Sequence, residues 1–350
     1  MHPLRIAAAI LLSACATATS AGREAKQESV KTVREEAMIP ASDPGIQLYV
    51  RNKHPQGSER FAPERILLYV HGATYPSETT FDLPLDGMSW MDHIAQRGFD
   101  VWLVDLRGYG RSTRPPEMDQ PPEANPPLVR TDVAVRDVGA AVEHILQKRG
   151  VTRLCLMGWS WGTTIMGAYT AENPGKVEKL VLYAPQWLRT TPGLIAGEGA
   201  YRTVSVDATR ERWLKGVPDD KKADLIPAGW FDQWADATFA TDPVGSRQSP
   251  KKLRAPNGVI ADGKEFWASG KPYYDPSRIT VPTLLVHAEW DQDLPTYMSL
   301  AYFERLTNAP YKRFVQIGEG THSVIMEKNR MQLFREVQLF LEEPSPNRPP

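Results

Sequence analysis

Gly158-Trp159-Ser160-Trp161-Gly162 constrains this chain more than any other stretch. It follows the apolar run Leu154-Cys155-Leu156-Met157 and opens into Thr163-Thr164-Ile165-Met166-Gly167-Ala168-Tyr169, which reads as a helix. Strand, sharp turn and helix form the context in which Gly-x-Ser-x-Gly presents a serine nucleophile. A serine hydroxyl attacks well only when it is exposed, held near a base and close to backbone N–H donors. A strained turn at the strand tip provides the exposure, and flanking glycines remove the Cβ atoms that would clash there. The remaining partners of a triad then belong downstream, an acid first and a histidine after it.

Of seven histidines, His322 occupies the expected place. It follows the strand-like run Tyr311 to Ile317 in the loop Gly318-Glu319-Gly320-Thr321-His322-Ser323, ahead of a helix expected from Val324 to Leu341. A loop imidazole among small residues can take the serine proton and return it to the leaving group. His2 falls in an N-terminal leader and His54 in an early polar turn. His93 and His144 lie on helical stretches, and His287 ends the apolar run Thr283-Leu284-Leu285-Val286 as a strand residue. The acid must orient the imidazole, so it belongs at another strand tip. Glu289, Asp291 and Asp293 compete for this role in the loop after His287, whereas Ala184 to Arg189, after the preceding strand, offers no carboxylate. On these residues alone all three remain open.

Ile66 to Val70 reads as a buried strand ending in His71-Gly72-Ala73-Thr74. A glycine there lets the backbone turn tightly, so the Ala73 N–H can point into a cleft. Together with the Trp161 N–H it would form an oxyanion hole. His71 reads as a structural residue that hydrogen-bonds the loop. Val101 to Leu106 and Arg107-Gly108-Tyr109-Gly110-Arg111-Ser112 form a strand and a glycine-rich turn that matches no phosphate-binding pattern. Asp105 and Arg107 are expected to brace that turn as an ion pair.

Together, His71-Gly72, Asp105 to Ser112, Gly158 to Gly162, Asp291 with Pro295, and Gly320 to His322 resemble the α/β-hydrolase superfamily, in its capped serine esterase branch. Asp291 and Pro295 match that family's Gly-x-x-Asp-x-x-x-Pro loop, with Ala288 at the usual glycine. The resemblance covers about residues 46–342. It implies an α/β fold: a twisted, mostly parallel eight-stranded sheet with helices on both faces and an inserted helical cap. It also implies a triad of Ser160, Asp291 and His322 that needs no cofactor and no metal. Relatives with an aspartate nucleophile, the epoxide hydrolases and haloalkane dehalogenases, are set aside by Ser160.

The 350 residues, 41% of them hydrophobic, suffice for one sizeable core plus an inserted lobe. A formal net charge of −1 with mixed signs gives no basic stripe for nucleic acid. The domain reading is a leader over 1–21, a polar tether over 22–40, a core of 41–184 and 278–342, a cap over 185–277 and a disordered tail over 343–350. The tether's many charges fit a solvated segment or a short exposed helix. In the leader, His2-Pro3-Leu4-Arg5 precedes Ile6 to Leu12, an apolar run too short to span a bilayer. Leu12-Ser13-Ala14-Cys15 resembles a bacterial lipobox with Cys15 as the lipidated residue; the other reading is a secretory peptide cut after Ala21. Both export the chain, to a periplasmic, membrane-anchored or secreted place. Cys155 is expected as a buried apolar residue.

Residues 185–277 break the strand–helix rhythm and concentrate aromatic residues: Trp187, Trp213, Trp230, Trp234 and Trp267, with Tyr201, Phe231, Phe239, Phe266, Tyr273 and Tyr274. A lid rich in rings suits a bulky apolar or aromatic substrate, although most of these rings are expected to pack the cap. Trp159 and Trp161, beside the nucleophile, are the expected substrate contacts. Arg114 to Pro127, with six prolines, reads as a stiff rim. The function expected is hydrolysis of a carboxylic ester of a small molecule through an acyl-enzyme. The alternative is amide or peptide cleavage of the proline aminopeptidase type, with Glu198, Glu211, Asp219 or Asp220 holding the substrate amine. A non-catalytic binding protein on this scaffold would require a broken triad.

Overall fold

In the computed structural model, residues 30–344 are described. The leader and its Cys15 lie outside them, as does most of the tail. Strands alternate with helices along the chain and gather into one sheet. The strands are β1 (Thr32–Pro40), β2 (Gln47–Pro55), β3 (Ile66–Val70), β4 (Asp100–Val104), β5 (Leu154–Trp159) and β6 (Val177–Tyr183). After a two-stranded ribbon of β7 (Tyr201–Ser205) and β8 (Lys252–Pro256), the sheet resumes with β9 (Thr283–Ala288) and β10 (Lys312–Ile317). Its order is β1-β2-β4-β3-β5-β6-β9-β10. β1 pairs with β2, and β2 with β4, antiparallel; the other pairings of this sheet are parallel. β3, β4, β5, β6 and β9 are buried along their whole lengths, as parallel strands covered on both faces must be.

The covering helices are α1 (Ser77–Phe81), α2 (Trp90–Ala95), α3 (Thr131–Arg149) and α4 (Trp161–Glu172), then, beyond the cap, α9 (Thr296–Arg305) and α10 (Arg330–Glu342). α3 packs on α4, and α10 on α2. The last helix begins later than the apolar pattern suggested, because Val324–Met326 is a separate 3-10 turn and Glu327 is extended. The cap holds α5 (Val206–Trp213), α6 (Lys222–Leu225), α7 (Trp230–Phe239) and α8 (Gly258–Glu265) around the β7–β8 ribbon, so it is mixed rather than purely helical.

The tether reading fails over residues 32–40, which form β1. Charge density misled it, because these charges are consumed across the sheet edge. Glu36 meets Arg34, Arg51 and Arg111, and Glu35 meets Lys148. A charged edge strand also discourages pairing with another chain.

Candidate active site

The position of Ser160 follows from the backbone. β5 ends at Trp159 and α4 begins at Trp161, leaving Ser160 alone at φ 58°, ψ −121°. A non-glycine residue holds such a conformation only when its surroundings enforce it. Here the Ser160 N–H donates to the Tyr183 carbonyl at 2.9 Å. A Cβ on Gly158 would lie 2.2 Å from the Gly162 oxygen, and one on Gly162 would lie 2.6 Å from the His71 oxygen. Both glycines of the pentapeptide are therefore demanded by close backbone approach.

His322 and Asp291 meet as the sequence suggested. Asp291 Oδ2 lies 2.7 Å from His322 Nδ1, while its Oδ1 accepts the Leu294 N–H at 2.9 Å. The two loops are stitched together by Trp290 N–H to the Gly320 carbonyl at 2.8 Å. Burial alone would raise the Asp291 carboxyl, but the charge and hydrogen bond of His322 hold it below the usual aspartate value. Burial likewise disfavours a charged His322, yet the carboxylates of Asp291 and Asp293 outweigh it and raise the ring above 6.5. Ser160 and His322 line one cleft of ≈ 20 Å³ with Gly72, Ala73, Trp159 and Asp293. Glu289 and Asp293 have other work: Glu289 accepts the Glu319 N–H, and Asp293 pairs with Arg212 of α5 at 2.8 Å.

The donor side is braced from several directions. Trp161 is the first residue of α4, so its N–H has no acceptor within the helix. His71 takes the Leu106 N–H on Nε2 at 3.2 Å, which leaves the proton on Nδ1, 2.7 Å from the Gly72 oxygen. Burial lowers this ring to about 4, so it is neutral and structural. The Ala73 carbonyl accepts from Tyr109 Oη at 2.9 Å and from Arg202 Nη2 at 2.7 Å. The expected Asp105–Arg107 ion pair does not form. Arg107 turns to Asp137 and Asp43. Asp105 accepts the backbone N–H groups of Ser77 and Arg111, its carboxyl pushed up to about 7 by burial and by Glu78. Two loop residues of opposite sign, two positions apart, need not face one another, and here a long-range partner on α3 wins.

The two tryptophans separate. Trp159 lines the cleft, stacks on Tyr183 and tilts against His322 at 5.3 Å between centroids. Trp161 does not line it: its indole is 1% exposed and donates to Thr131 Oγ1 at 2.9 Å. The expectation that the Trp161 side chain contacts substrate is therefore corrected, because helical geometry carries it down onto α3. Of the cap aromatics, Trp213 alone lines this cleft. Trp234 packs against Trp213 and Phe231 within the cap and against Tyr75 of the core, so these rings pack the cap and join it to the core.

Sequence reasoning missed Tyr183, Glu327 and Arg202. Tyr183 Oη donates to the His322 carbonyl at 2.7 Å. Buried Glu327 accepts from the Thr321 N–H at 3.0 Å, from the Thr321 hydroxyl and from Trp213 Nε1 at 2.7 Å, tying the histidine loop to the cap. Burial pushes its carboxyl up to about 7. A lone glutamate directly after Val324-Ile325-Met326 was the available signal.

A family model described as the alpha/beta hydrolase fold matches residues 66–329, and the chain belongs to that family. It is 27% identical over 224 residues to a proline iminopeptidase of Xylella fastidiosa, covering 56% of this chain and 67% of that protein. It is also 27% identical over 151 residues to human lipase member K, covering 43% of this chain and 37% of the lipase. Among solved structures, a hydrolase from Pseudomonas aeruginosa PA01 superposes with a TM-score of 0.59 at 17% identity, covering 88% of this chain and 99% of that one, a likeness of fold.

Proposed function

We propose that this protein hydrolyses carboxylic esters of small molecules through an acyl-enzyme on Ser160. The observation that carries the reading is the buried Asp291–His322 pair opening onto the same cleft as a serine held at positive φ. With Nδ1 committed to Asp291, His322 Nε2 takes the Ser160 proton as the hydroxyl oxygen bonds to the ester carbonyl carbon. The oxyanion is held by the Ala73 and Trp161 amides. His322 then protonates the departing alkoxide, and the same steps with water release the acid and restore Ser160. A fluorophosphonate should label the wild type at Ser160 only, and Ser160→Ala should abolish both labelling and ester hydrolysis. Labelling elsewhere would overturn the assignment.

A second reading, amide or peptide cleavage, draws on the similarity to the proline iminopeptidase. It needs a carboxylate near the cleft for a substrate amine. Of the candidates, Glu211 lines the cavity beside the cleft; Asp219 pairs with Lys222, and Glu198 lines a separate pocket. Prolyl arylamides assayed beside aryl esters decide between the readings. The pattern of residues 1–21 supports export as part of the same proposal.

A further inference from the structure

The cleft at Ser160 measures ≈ 20 Å³, room for little more than a reacting carbonyl. Beside it lies a cavity of ≈ 700 Å³ that shares Tyr75, Thr209 and Arg212 with the cleft. The rest of a substrate held at Ser160 has this space next to it. Its wall has an unusual electrostatic composition.

Arg202, on the cap strand β7, lines the cavity and is 8% exposed. Its Nη1 donates to the Pro256 carbonyl at 2.8 Å, and its Nη2 to the Ala73 carbonyl and to Thr74 Oγ1 at 2.7 and 2.8 Å. Among the described residues, no carboxylate pairs with it, and its buried Nε has no hydrogen-bond partner. The other arginines buried as deeply are compensated, although half-buried Arg114 is not. Arg254 has Asp242, Arg107 has Asp137, Arg51 has Glu78 and Asp82, and Arg330 lies on the face of Trp230. Burial and neighbouring Arg212 lower Arg202 to about 10, which still leaves it a cation at neutral pH. Around the cavity, Arg212 is neutralised by Asp293 and Lys222 by Asp219. Arg202 and Lys215 remain against the single carboxylate of Glu211. A desolvated cation without a counter-ion is costly unless an anion arrives to pair with it.

We infer that this cavity is the subsite for a carboxylate on the acyl portion of the substrate, recognised by the charge of Arg202 beside the oxyanion loop. The preferred substrates are then half-esters of short dicarboxylic acids, a class that follows only if the ester-hydrolase reading holds. Because Arg202 touches Ala73, the carboxylate belongs a few bonds from the scissile carbonyl.

The test compares p-nitrophenyl glutarate half-ester with p-nitrophenyl 5-methylhexanoate, in which an isopropyl group replaces the carboxylate at similar size. The wild type should favour the anionic ester by about tenfold or more in kcat/KM, and added salt should narrow the gap. Arg202→Met should bring the ratio near one, whatever it does to the common rate through the Ala73 loop. Lys215→Glu, at an exposed position, should cut the ratio several-fold through KM and covers the case in which Arg202→Met does not fold. A wild-type ratio at or below one overturns the proposal, as does a ratio that Lys215→Glu and folded Arg202→Met leave unchanged. Binding is read separately on Ser160→Ala, where monomethyl glutarate should raise Tm and methyl 5-methylhexanoate should not. A glutarate-specific shift without hydrolysis of either aryl ester refutes the ester-hydrolase reading and keeps the anion site. Hydrolysis of both esters without anion preference or shift does the reverse.

Discussion

The indole Nε1 of Trp159 donates to the backbone carbonyl of His322 at 3.1 Å, tying the residue before Ser160 to the histidine loop. Tyr183 Oη reaches the same oxygen at 2.7 Å. With two donors on one buried carbonyl, loss of either leaves it satisfied, whereas loss of both leaves it orphaned. Trp159→Phe and Tyr183→Phe should therefore each lower kcat by about threefold to tenfold on every ester alike, a hydrogen bond being worth ~1 kcal/mol. The double variant should lose more than the product of the two, which a double-mutant cycle in kcat and in unfolding free energy measures. Simple additivity would mean that the shared carbonyl does not couple them.

His322→Ala should reduce kcat by at least about a thousandfold, since the serine loses its base. Asp291→Asn should cost on the order of a thousandfold to ten-thousandfold by leaving the imidazole in the wrong tautomer. Glu289→Gln should stay within about threefold of wild type, because that carboxylate only accepts a loop amide. Steady-state kinetics on an unbranched aryl ester suffices, and a silent Asp291→Asn would displace it as the acid.

In the proposed mechanism the base must be neutral, so activity should be lost as pH falls through the His322 pKa. That value lies above 6.5 because Asp291 and Asp293 outweigh burial. The acid limb of kcat/KM should reflect this raised value. Asp293→Asn removes one negative charge and leaves Arg212 uncompensated, so both changes push the limb to lower pH. A limb that stays in place in the Asp293→Asn profile counts against the electrostatic account.

Glu327 carries a carboxyl raised to about 7 from an ordinary 4.5, so the folded state binds its proton more tightly than the unfolded chain. Its contribution to stability is present below pH 4.5 and declines as pH rises toward 7. Asp105 slopes the same way, so the wild-type curve alone does not isolate Glu327. Glu327→Gln should flatten the decline of Tm between these pH values by several degrees relative to wild type. Identical slopes in the two proteins would show that the carboxyl does not titrate there.

The leader gives a prediction of its own. If Cys15 is the processed residue, Cys15→Ser releases the protein from membranes, and mass spectrometry of the mature N-terminus finds an acylated Cys15. If cleavage follows Ala21, the substitution has no effect and the mature chain begins at Gly22.

The site was legible where chemistry dictates short spacing. Gly158 is forced by a contact with Gly162 four residues on, Gly162 by the strand end at Val70 and His71 that the Gly-x-Ser-x-Gly pattern already implies, and His322 and Asp291 each follow a strand whose apolar run is plain. What stayed hidden depends on partners far along the chain. The charges of β1 looked like solvation because their partners, Arg51, Arg111 and Lys148, come later from other elements. Arg107 pairs across thirty positions with Asp137 rather than with nearby Asp105. Trp161 and Trp159 look equivalent in sequence, yet strand and helix geometry send one to His322 and the other to Thr131. The cap aromatics suggested a ring-lined pocket by composition, which cannot separate rings facing a ligand from rings facing the core.

β1 also sets how far the folded domain would stand from a lipid anchor, were Cys15 to carry one. Paired with β2 from Thr32 onward, it leaves only about sixteen residues between Cys15 and the sheet. Fully extended, such a segment reaches at most ~55 Å. A protein lipidated at Cys15 would therefore work within roughly one or two of its own diameters of the bilayer, drawing on esters in that shell of solvent rather than across a whole compartment.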